Sequence, residues 1–144
     1  MRFVATLLFL LPFSAISVQA TASDTPNWLI GKWKSNEEKT LEDLKKHPEI
    51  NEEAKKLFTN NFFGRLVIIY RKKSTAWYFI DEKPEKLEFI NYQTVLTENN
   101  SVTFKFFNKT LGKDTGRTIY REGNCYYALT EKWNFKEYFC RYEK

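Results

Sequence analysis

The spacing of the apolar residues changes once along this chain, near Gly64, and this change constrains the fold more than any other feature. Upstream of Gly64, an apolar stripe follows the helical spacing i, i+4, i+7 and i+8: Ile50, Ala54, Leu57 and Phe58. Downstream, apolar and polar residues alternate in segments rich in β-branched and aromatic side chains, as in half-buried strands. The sequence therefore predicts helices just before Gly64 and a series of β-strands after it.

Seven strands are predicted after Gly64, separated by short polar, Gly-containing or Pro-containing breakers: 65–71, 75–81, 86–96, 101–108, 115–121, 124–130 and 135–142. An eighth strand, 28–34, precedes two helices, the first of which is predicted to begin with Ser35 as its N-cap. Because no helix separates the later strands, neighbours should pair antiparallel. The predicted fold class is all-β with a helical insert: an eight-stranded antiparallel up-and-down barrel, with the two helices between strands 1 and 2. A two-sheet sandwich is the alternative.

Residues 1–20 are typical of a secretory signal peptide. Arg2 precedes an apolar run, and Ala20 stands at a cleavage site, with Ala22 as an equally good one. Cleavage leaves 21–144 as a single barrel domain, with no transmembrane segment after the leader. The predicted localisation is secreted or periplasmic.

Export predicts that the two cysteines are oxidised, because an oxidising compartment favours a disulfide bond. Cys125 and Cys140 are the only pair, so they are predicted to be bonded across the final hairpin. Asn99 and Asn108 match the acceptor pattern for N-glycosylation, which matters only in a host that glycosylates.

Gly31-Lys32-Trp33, on the first predicted strand, resembles the Gly-x-Trp motif of the lipocalin and fatty-acid-binding barrels, together called calycins. In that family, an arginine late in the chain packs across the tryptophan and helps to close one end of the barrel. Arg141, on the last predicted strand, is similar in position. The resemblance implies a lipocalin-like barrel closed by a cation–π contact between Trp33 and Arg141.

An eight-stranded barrel is just wide enough for packed side chains or for one small ligand, so two functions remain. The first is binding of a small apolar ligand, gated by the second helix. The side chains expected to line such an interior are Trp33, Val67, Ile69, Trp77, Phe79, Phe89, Phe104, Phe106 and Tyr127. The second is a filled barrel that acts as an interaction or inhibitory protein, with an extracellular protein partner and no internal ligand. An interior of roughly 300 Å³ or more favours the first.

No motif for catalysis, metal binding or cofactor binding occurs in the sequence. His47, the one histidine, precedes Pro48 in a charged segment, so neither an enzyme nor a cofactor is predicted. The formal net charge is +5, from 23 Lys and Arg against 18 Asp and Glu, which favours weak attraction to anionic surfaces. An exported barrel rarely meets nucleic acid, so no nucleic-acid partner is predicted. Nothing in the sequence specifies an oligomeric state.

Overall fold

The computed structural model describes residues 23–59 and 61–143; the predicted signal peptide, 1–20, lies outside the described residues. Within these ranges the chain forms two helices and nine strands, and the helices follow the first strand as predicted. In chain order, the elements are β1 Gly31–Ser35, α1 Glu37–Leu44, α2 Glu52–Thr59, β2 Leu66–Tyr70, β3 Ser74–Phe79, β4 Ile90–Asn91, β5 Gln93–Thr97, β6 Ser101–Asn108, β7 Lys113–Glu122, β8 Cys125–Leu129 and β9 Lys136–Arg141.

The strands form one antiparallel sheet in the order β4-β3-β2-β1-β9-β8-β7-β6-β5. This is the order of an up-and-down barrel, because β1 lies beside β9 and the two outermost strands are consecutive in the chain. The sheet is therefore a nearly closed barrel, which hides most of the strand edges.

The prediction of eight strands was wrong by one, because the predicted strand 86–96 is divided at Tyr92 in the described structure. Ile90–Asn91 pairs with β3, whereas Gln93–Thr97 pairs with β6. The strand-to-strand hydrogen bonds of this segment therefore change partner from β3 to β6 at Tyr92. The Tyr92 amide still donates to the carbonyl of Lys73 (3.0 Å), and the Tyr92 side chain is buried in the barrel.

The N-cap of α1 is Asn36, not Ser35. Asn36 has extended backbone angles, and its side-chain oxygen accepts a hydrogen bond from the Lys39 amide (2.9 Å). Ser35 instead remains in β1, where it is paired with Phe139, and its hydroxyl accepts from the Gly64 amide (3.0 Å). The strand therefore continues one residue further than the capping pattern indicated.

Helix α1 takes the place of a strand along the start of β9. The Tyr138 amide donates to Thr40 Oγ1 (3.0 Å) and the Lys136 amide donates to Asp43 Oδ2 (2.7 Å). The Tyr138 carbonyl accepts from the Asn36 amide (2.8 Å). Backbone groups that β1 is too short to pair are thereby satisfied, which a buried sheet edge requires.

Buried apolar residues of the described part form a barrel cluster and a helical cluster. The barrel cluster lies inside the sheet: Leu29, Trp33, Ile68, Tyr70, Tyr92, Val102, Phe104, Ile119, Tyr126, Ala128 and Phe139. The helical cluster joins both helices to the β8–β9 turn: Leu44, Ile50, Phe58, Phe63 and Phe135. Leu57, which the helical stripe included, is 70% exposed.

Trp33 and Arg141 close one end of the barrel, in the geometry that the resemblance implied. Trp33 is 3% exposed, and the Arg141 guanidinium carbon lies 4.1 Å from the centroid of its ring. The guanidinium donates to the carbonyls of Ile30 (2.7 Å) and Trp28. The Trp33 indole donates to the Leu29 carbonyl (2.7 Å). The segment before β1 is thus fixed across this end, which we call the closed end.

Gly31 is required by the same contact. Its φ of +130° is rarely adopted by residues with a side chain. A Cβ atom at this position would also collide with the Arg141 guanidinium. The glycine of the Gly-x-Trp motif therefore makes room for the arginine that covers the tryptophan.

Cys125 and Cys140 form a disulfide bond, which confirms that prediction. They are cross-strand partners in the β8–β9 hairpin, so the strand register places their sulfur atoms together. The bond joins the hairpin near the closed end, where β9 also pairs with β1.

Thr40→Val should destabilise the protein by about 1–3 kcal/mol, because it leaves the buried Tyr138 amide without its acceptor. Thr59→Val is the matched control, since Thr59 is an exposed threonine in α2; its effect should stay within about 0.5 kcal/mol. Urea unfolding followed by circular dichroism measures both. Equal effects for the two variants would show that α1 does not stabilise β9 in this way.

Trp33→Ala should lower the free energy of unfolding by about 3–5 kcal/mol, the usual range for removing a large buried aromatic side chain. Trp77→Ala should cost less, because Trp77 is 54% exposed. The same unfolding assay compares them. A smaller loss at Trp33 than at Trp77 would contradict the role of Trp33 in closing the barrel.

Candidate functional site

A cavity of about 770 Å³ occupies the end of the barrel opposite the closed end. The β3–β4 connection and the β6–β7 turn frame its mouth. Its walls are mostly apolar: Leu66, Ile68, Tyr70, Trp77, Ile90, Phe104 and Phe106. Polar side chains also line it, among them Thr75, Lys86, Glu88, Lys109 and Arg117.

The floor of the cavity is the top of the barrel cluster. Ile68, Tyr70 and Phe104 belong to that cluster and also line the cavity. The Tyr70 and Phe104 rings contact one another across the barrel, with 5.8 Å between their centroids. The closed half of the barrel is therefore packed, and the other half is hollow.

Residue sizes on the inward faces of β7, β8 and β9 explain this division. Towards the closed end these faces carry large side chains: Ile119, Tyr126 and Phe139. Towards the mouth, strand alternation gives the same faces small or polar side chains: Thr115, Arg117, Ala128 and Glu137. On these three strands, the mouth half lacks the bulky side chains that fill the closed half.

An ion pair lies at the cavity wall. Arg117 Nη2 is 3.8 Å from Glu137 Oε2. Burial raises the pKa of the Glu137 carboxyl above its ordinary value, and the charge of Arg117 opposes this shift only in part. Arg117 keeps 43% of its side chain exposed, because it faces the open cavity.

Two tyrosine hydroxyls meet beneath this pair. The hydroxyl oxygens of Tyr70 and Tyr126 are 3.4 Å apart. Burial raises the pKa of both groups, and that of Tyr126 lies well above its ordinary value. Both hydroxyls are therefore protonated at physiological pH.

The mouth carries charged residues on both framing segments. Lys109 Nζ on the β6–β7 turn is 3.8 Å from Glu88 Oε1 on the β3–β4 connection, and both side chains are more than 80% exposed. An exposed pair of this kind contributes little stability. It can therefore open at small cost.

Three of the predicted lining residues are brought together in the cavity: Trp77, Phe104 and Phe106. Trp77 lies on β3, and the other two alternate along β6. Trp77 is 54% exposed, so a large aromatic surface faces the hollow interior.

The other six predicted lining residues lie elsewhere, mainly because the predicted register was incomplete. Val67 and Ile69 lie on the opposite face of β2 from Leu66, Ile68 and Tyr70, which line the cavity. Trp33 lies below the floor, in the barrel cluster.

Phe79, Phe89 and Tyr127 are occupied by other contacts. Phe79 lies under the Arg65 guanidinium (5.2 Å to the ring centroid), and Phe89 lies under that of Arg71 (3.6 Å). Tyr127 stacks on Tyr120 with 5.2 Å between ring centroids, on the outer face of the sheet. None of the three is among the described residues that line the cavity.

The helices do not cover the mouth as the sequence suggested. Among the described residues that line the cavity, none belongs to α1 or α2. Ile50, Ala54 and Phe58 of the stripe pack instead with Phe63 and Phe135 in the helical cluster. Access to the cavity therefore does not require the second helix to move.

Leu66, Ile68, Tyr70, Ile90 and Arg117 were missed by the sequence analysis. The pairing of β2 with β1 could have indicated which face of β2 points inward. Trp33 was expected inside the barrel, and its cross-strand partner is Ile68. No comparable signal marked Arg117, because a charged residue on a polar strand indicates a solvent-facing position.

Across residues 23–59 and 61–143, no group of three or more His, Cys, Asp or Glu side chains is placed to hold a metal ion. His47 contacts Glu49 (2.8 Å from Nδ1 to Oε1), away from the cavity. In the same ranges, no helix is both long and apolar enough to cross a membrane.

No protein-family model, curated protein or solved structure matches this chain. The lipocalin-like identity therefore stays a prediction from the Gly-x-Trp motif, while the barrel, the disulfide bond and the cavity are properties of the structure itself.

Glu137→Gln should make stability less dependent on pH. An acid with a raised pKa in the folded state binds more protons when folded than when unfolded. Its contribution to the free energy of unfolding therefore falls as pH rises above about 4.3, the ordinary glutamate pKa. We expect the wild-type protein to lose stability relative to Glu137→Gln as the pH is raised from 4 to neutral.

Urea unfolding across this pH range measures the difference, with Glu131→Gln as a control at an exposed glutamate. Glu131→Gln provides the baseline for removing an exposed carboxyl, against which the Glu137→Gln profile is compared. Parallel profiles for wild type and Glu137→Gln would contradict the raised pKa.

Proposed function

We propose that this protein is an exported, lipocalin-like barrel that binds a small, mostly apolar molecule in its cavity. The observation that carries the proposal is the cavity of about 770 Å³ with aromatic and aliphatic walls and an open mouth. Pockets for small molecules usually have roughly this volume and this composition, with a few polar groups that orient the ligand.

The packing of the barrel supports the proposal. A barrel whose role was purely structural would gain stability by filling its interior with apolar side chains. Here the packed closed half supplies a core, while Trp77 remains more than half exposed within the hollow half. A bound apolar molecule would remove this surface from water, at roughly 25 cal/mol for each Å² buried.

The disulfide bond between Cys125 and Cys140 supports export as part of the proposal, because such bonds persist mainly in oxidising compartments. It also holds β8 to β9 near the closed end. A ligand could therefore bind and leave at the mouth without disturbing the part of the barrel that maintains its closure.

A second candidate function, protein interaction, is favoured by the helical insert. Leu57 on α2 and Phe62 just after it are 70% and 59% exposed, and exposed apolar surface is common where proteins contact one another. The cavity favours the first function, because an interaction surface on the helices would not require a hollow barrel.

Ile90→Trp should weaken ligand binding by placing a bulky indole in the cavity, whereas the neighbouring Asn91→Trp should preserve it. Ile90 lines the cavity and Asn91 is exposed on the other side of β4. Titration with N-phenyl-1-naphthylamine, a neutral apolar dye that fluoresces in apolar sites, measures binding. We expect saturable binding to the wild-type protein and to Asn91→Trp, and at least tenfold weaker binding to Ile90→Trp.

Circular dichroism and urea unfolding of both tryptophan variants establish that they are folded. Absence of saturable dye binding to the wild-type protein, or equal binding by the two variants, would count against a ligand site in the cavity. The protein-interaction function would then be the better supported of the two.

A further inference from the structure

We infer that the outer wall of the barrel carries a binding surface for a linear sulfated polysaccharide, formed by basic side chains of β1 and of the turn between β2 and β3. We call this surface the basic strip, and its members are Lys32, Lys34, Arg71, Lys72 and Lys73. The inference goes beyond the proposed function and does not depend on the cavity, because these side chains lie on the other side of the wall.

Strand alternation places the basic strip on the outside of the barrel. Trp33 lies inside, so its neighbours Lys32 and Lys34 face outward from β1. Lys32 is the cross-strand partner of Ile69, which faces away from the cavity on β2. Arg71 occupies the next outward position after Ile69, at the end of β2. The three bases therefore lie on one outer face.

Lys72 and Lys73 extend this face into a tight turn. The Arg71 amide donates to the Ser74 carbonyl (2.8 Å), which closes a two-residue connection between β2 and β3. Connections of this length usually carry asparagine, aspartate or glycine, whereas here both residues are lysine. Adjacent like charges repel one another, so folding does not explain this choice of residues.

The backbone of the turn is held at each of its basic residues. The Lys72 carbonyl accepts from the Thr25 hydroxyl (2.7 Å), and the Lys73 carbonyl accepts from the Tyr92 amide (3.0 Å). The Arg71 carbonyl accepts from the Tyr92 hydroxyl. A ligand would therefore meet three charges on a backbone that is already ordered, which reduces the entropic cost of binding.

Acidic groups do not neutralise the basic strip. The strands β1, β2 and β3 contain no aspartate or glutamate. In the described part of the chain, Arg71, Lys72 and Lys73 form no ion pair with an acid. Asp81 and Glu82, which follow β3, are both paired with Arg65. The strip thus presents positive charge to a ligand.

Arg71 is oriented to bind a planar pair of anionic oxygens. Its guanidinium carbon lies 3.6 Å from the centroid of the Phe89 ring. Stacking on a ring fixes the plane of the guanidinium and leaves its N–H groups at the edge. Two of these groups could donate to two oxygens of one sulfate group, the bidentate geometry that arginine favours.

A second pocket, of about 370 Å³, opens on the outer wall at the Lys34 end of the basic strip. Ser35, Asn36, Glu37 and Tyr142 are among the residues that line it beside Lys34, and Glu37 is the one acid among its described lining residues. The lining therefore offers mainly hydrogen-bonding groups. One sugar ring of a chain could enter this pocket, whereas a flat lipid surface could not.

The shape of the strip also favours a polysaccharide over a membrane. It follows the strand direction for about 17 Å, from the level of Val67, the partner of Lys34, to Lys72. None of the exposed large apolar side chains of the described part occupies an outward position on β1, β2 or β3. Membrane-binding surfaces usually insert such side chains into the lipid. A linear chain that repeats its sulfate groups would instead contact several of these bases at once.

A heparin octasaccharide and a hyaluronan octasaccharide form a matched pair of probes, because both are linear anionic polysaccharides and only heparin carries sulfate. Isothermal titration calorimetry between 50 and 200 mM NaCl measures both. We expect saturable binding of the heparin fragment, at least tenfold tighter than that of hyaluronan. Its affinity should fall as salt rises, because binding releases the counterions of a polyanion.

Lys72→Gln/Lys73→Gln should weaken heparin binding at least tenfold and reduce its dependence on salt. Lys45→Gln/Lys46→Gln is the matched control, since it removes the same charge from two adjacent, exposed lysines at the end of α1. The control should keep its affinity within about twofold of the wild-type value. Circular dichroism and urea unfolding establish that both double variants are folded.

Each contrary outcome is specific. No saturable heparin binding, or equal affinity for both polysaccharides, would overturn recognition of a sulfated chain. Equal losses in the two double variants would show that only net charge matters and would overturn the basic strip. Phosphatidylserine vesicles that bind the wild-type protein but not Lys72→Gln/Lys73→Gln, in the absence of heparin binding, would assign the strip to membranes instead.

The same variants separate this inference from the proposed function. Binding of N-phenyl-1-naphthylamine should be unchanged in Lys72→Gln/Lys73→Gln, because the basic strip lies outside the cavity. Loss of dye binding in this variant would contradict the separation of the two sites. Failure of the dye to bind the wild-type protein would remove the cavity proposal and leave the heparin result to decide the strip.

Discussion

The rest of the barrel depends on the contacts that the Arg141 guanidinium makes. It covers Trp33, and it donates to the carbonyls of Trp28 and Ile30 in the segment before β1. One side chain on the last strand thus holds the first strand and the chain that leads into it. Because β1 and β9 are also paired, closing the sheet and covering one end of the barrel are a single event. The opposite end is then free to remain open.

The helical insert compensates for the unequal lengths of two neighbouring strands, β1 and β9. β1 stops while β9 continues, and the exposed edge of β9 would invite pairing with another chain. Thr40 and Asp43 on α1 accept the hydrogen bonds that a longer β1 would have accepted. The insert therefore belongs to the wall of the barrel, which is consistent with its position beside the cavity rather than over it. A helix anchored in this way is poorly suited to be a gate.

The sequence predicts features that depend on pairs or on strong alternation, and it fails where neighbouring residues resemble one another. The Cys125–Cys140 bond follows from hairpin geometry, and the Trp33–Arg141 contact follows from the motif. In contrast, Leu66–Tyr70 is apolar throughout, so alternation does not reveal which residues face inward. The division of the fourth predicted strand at Tyr92 depends on which neighbour each part meets, and no local pattern encodes that choice. The inward position of Arg117 is set by register alone.

The barrel is neither completely packed nor completely hollow, and residue size along its strands explains why. Stability requires a core, and Ile119, Tyr126 and Phe139 provide one at the closed end. On the same strands, nearer the mouth, Ala128 is too small and Glu137 too polar to extend that core. Keeping a partly buried carboxyl beside a cavity costs free energy through desolvation, so its presence is not explained by folding. The carboxyl and the missing bulky side chains are both explained if the barrel gives up packing in this half in order to hold a small molecule.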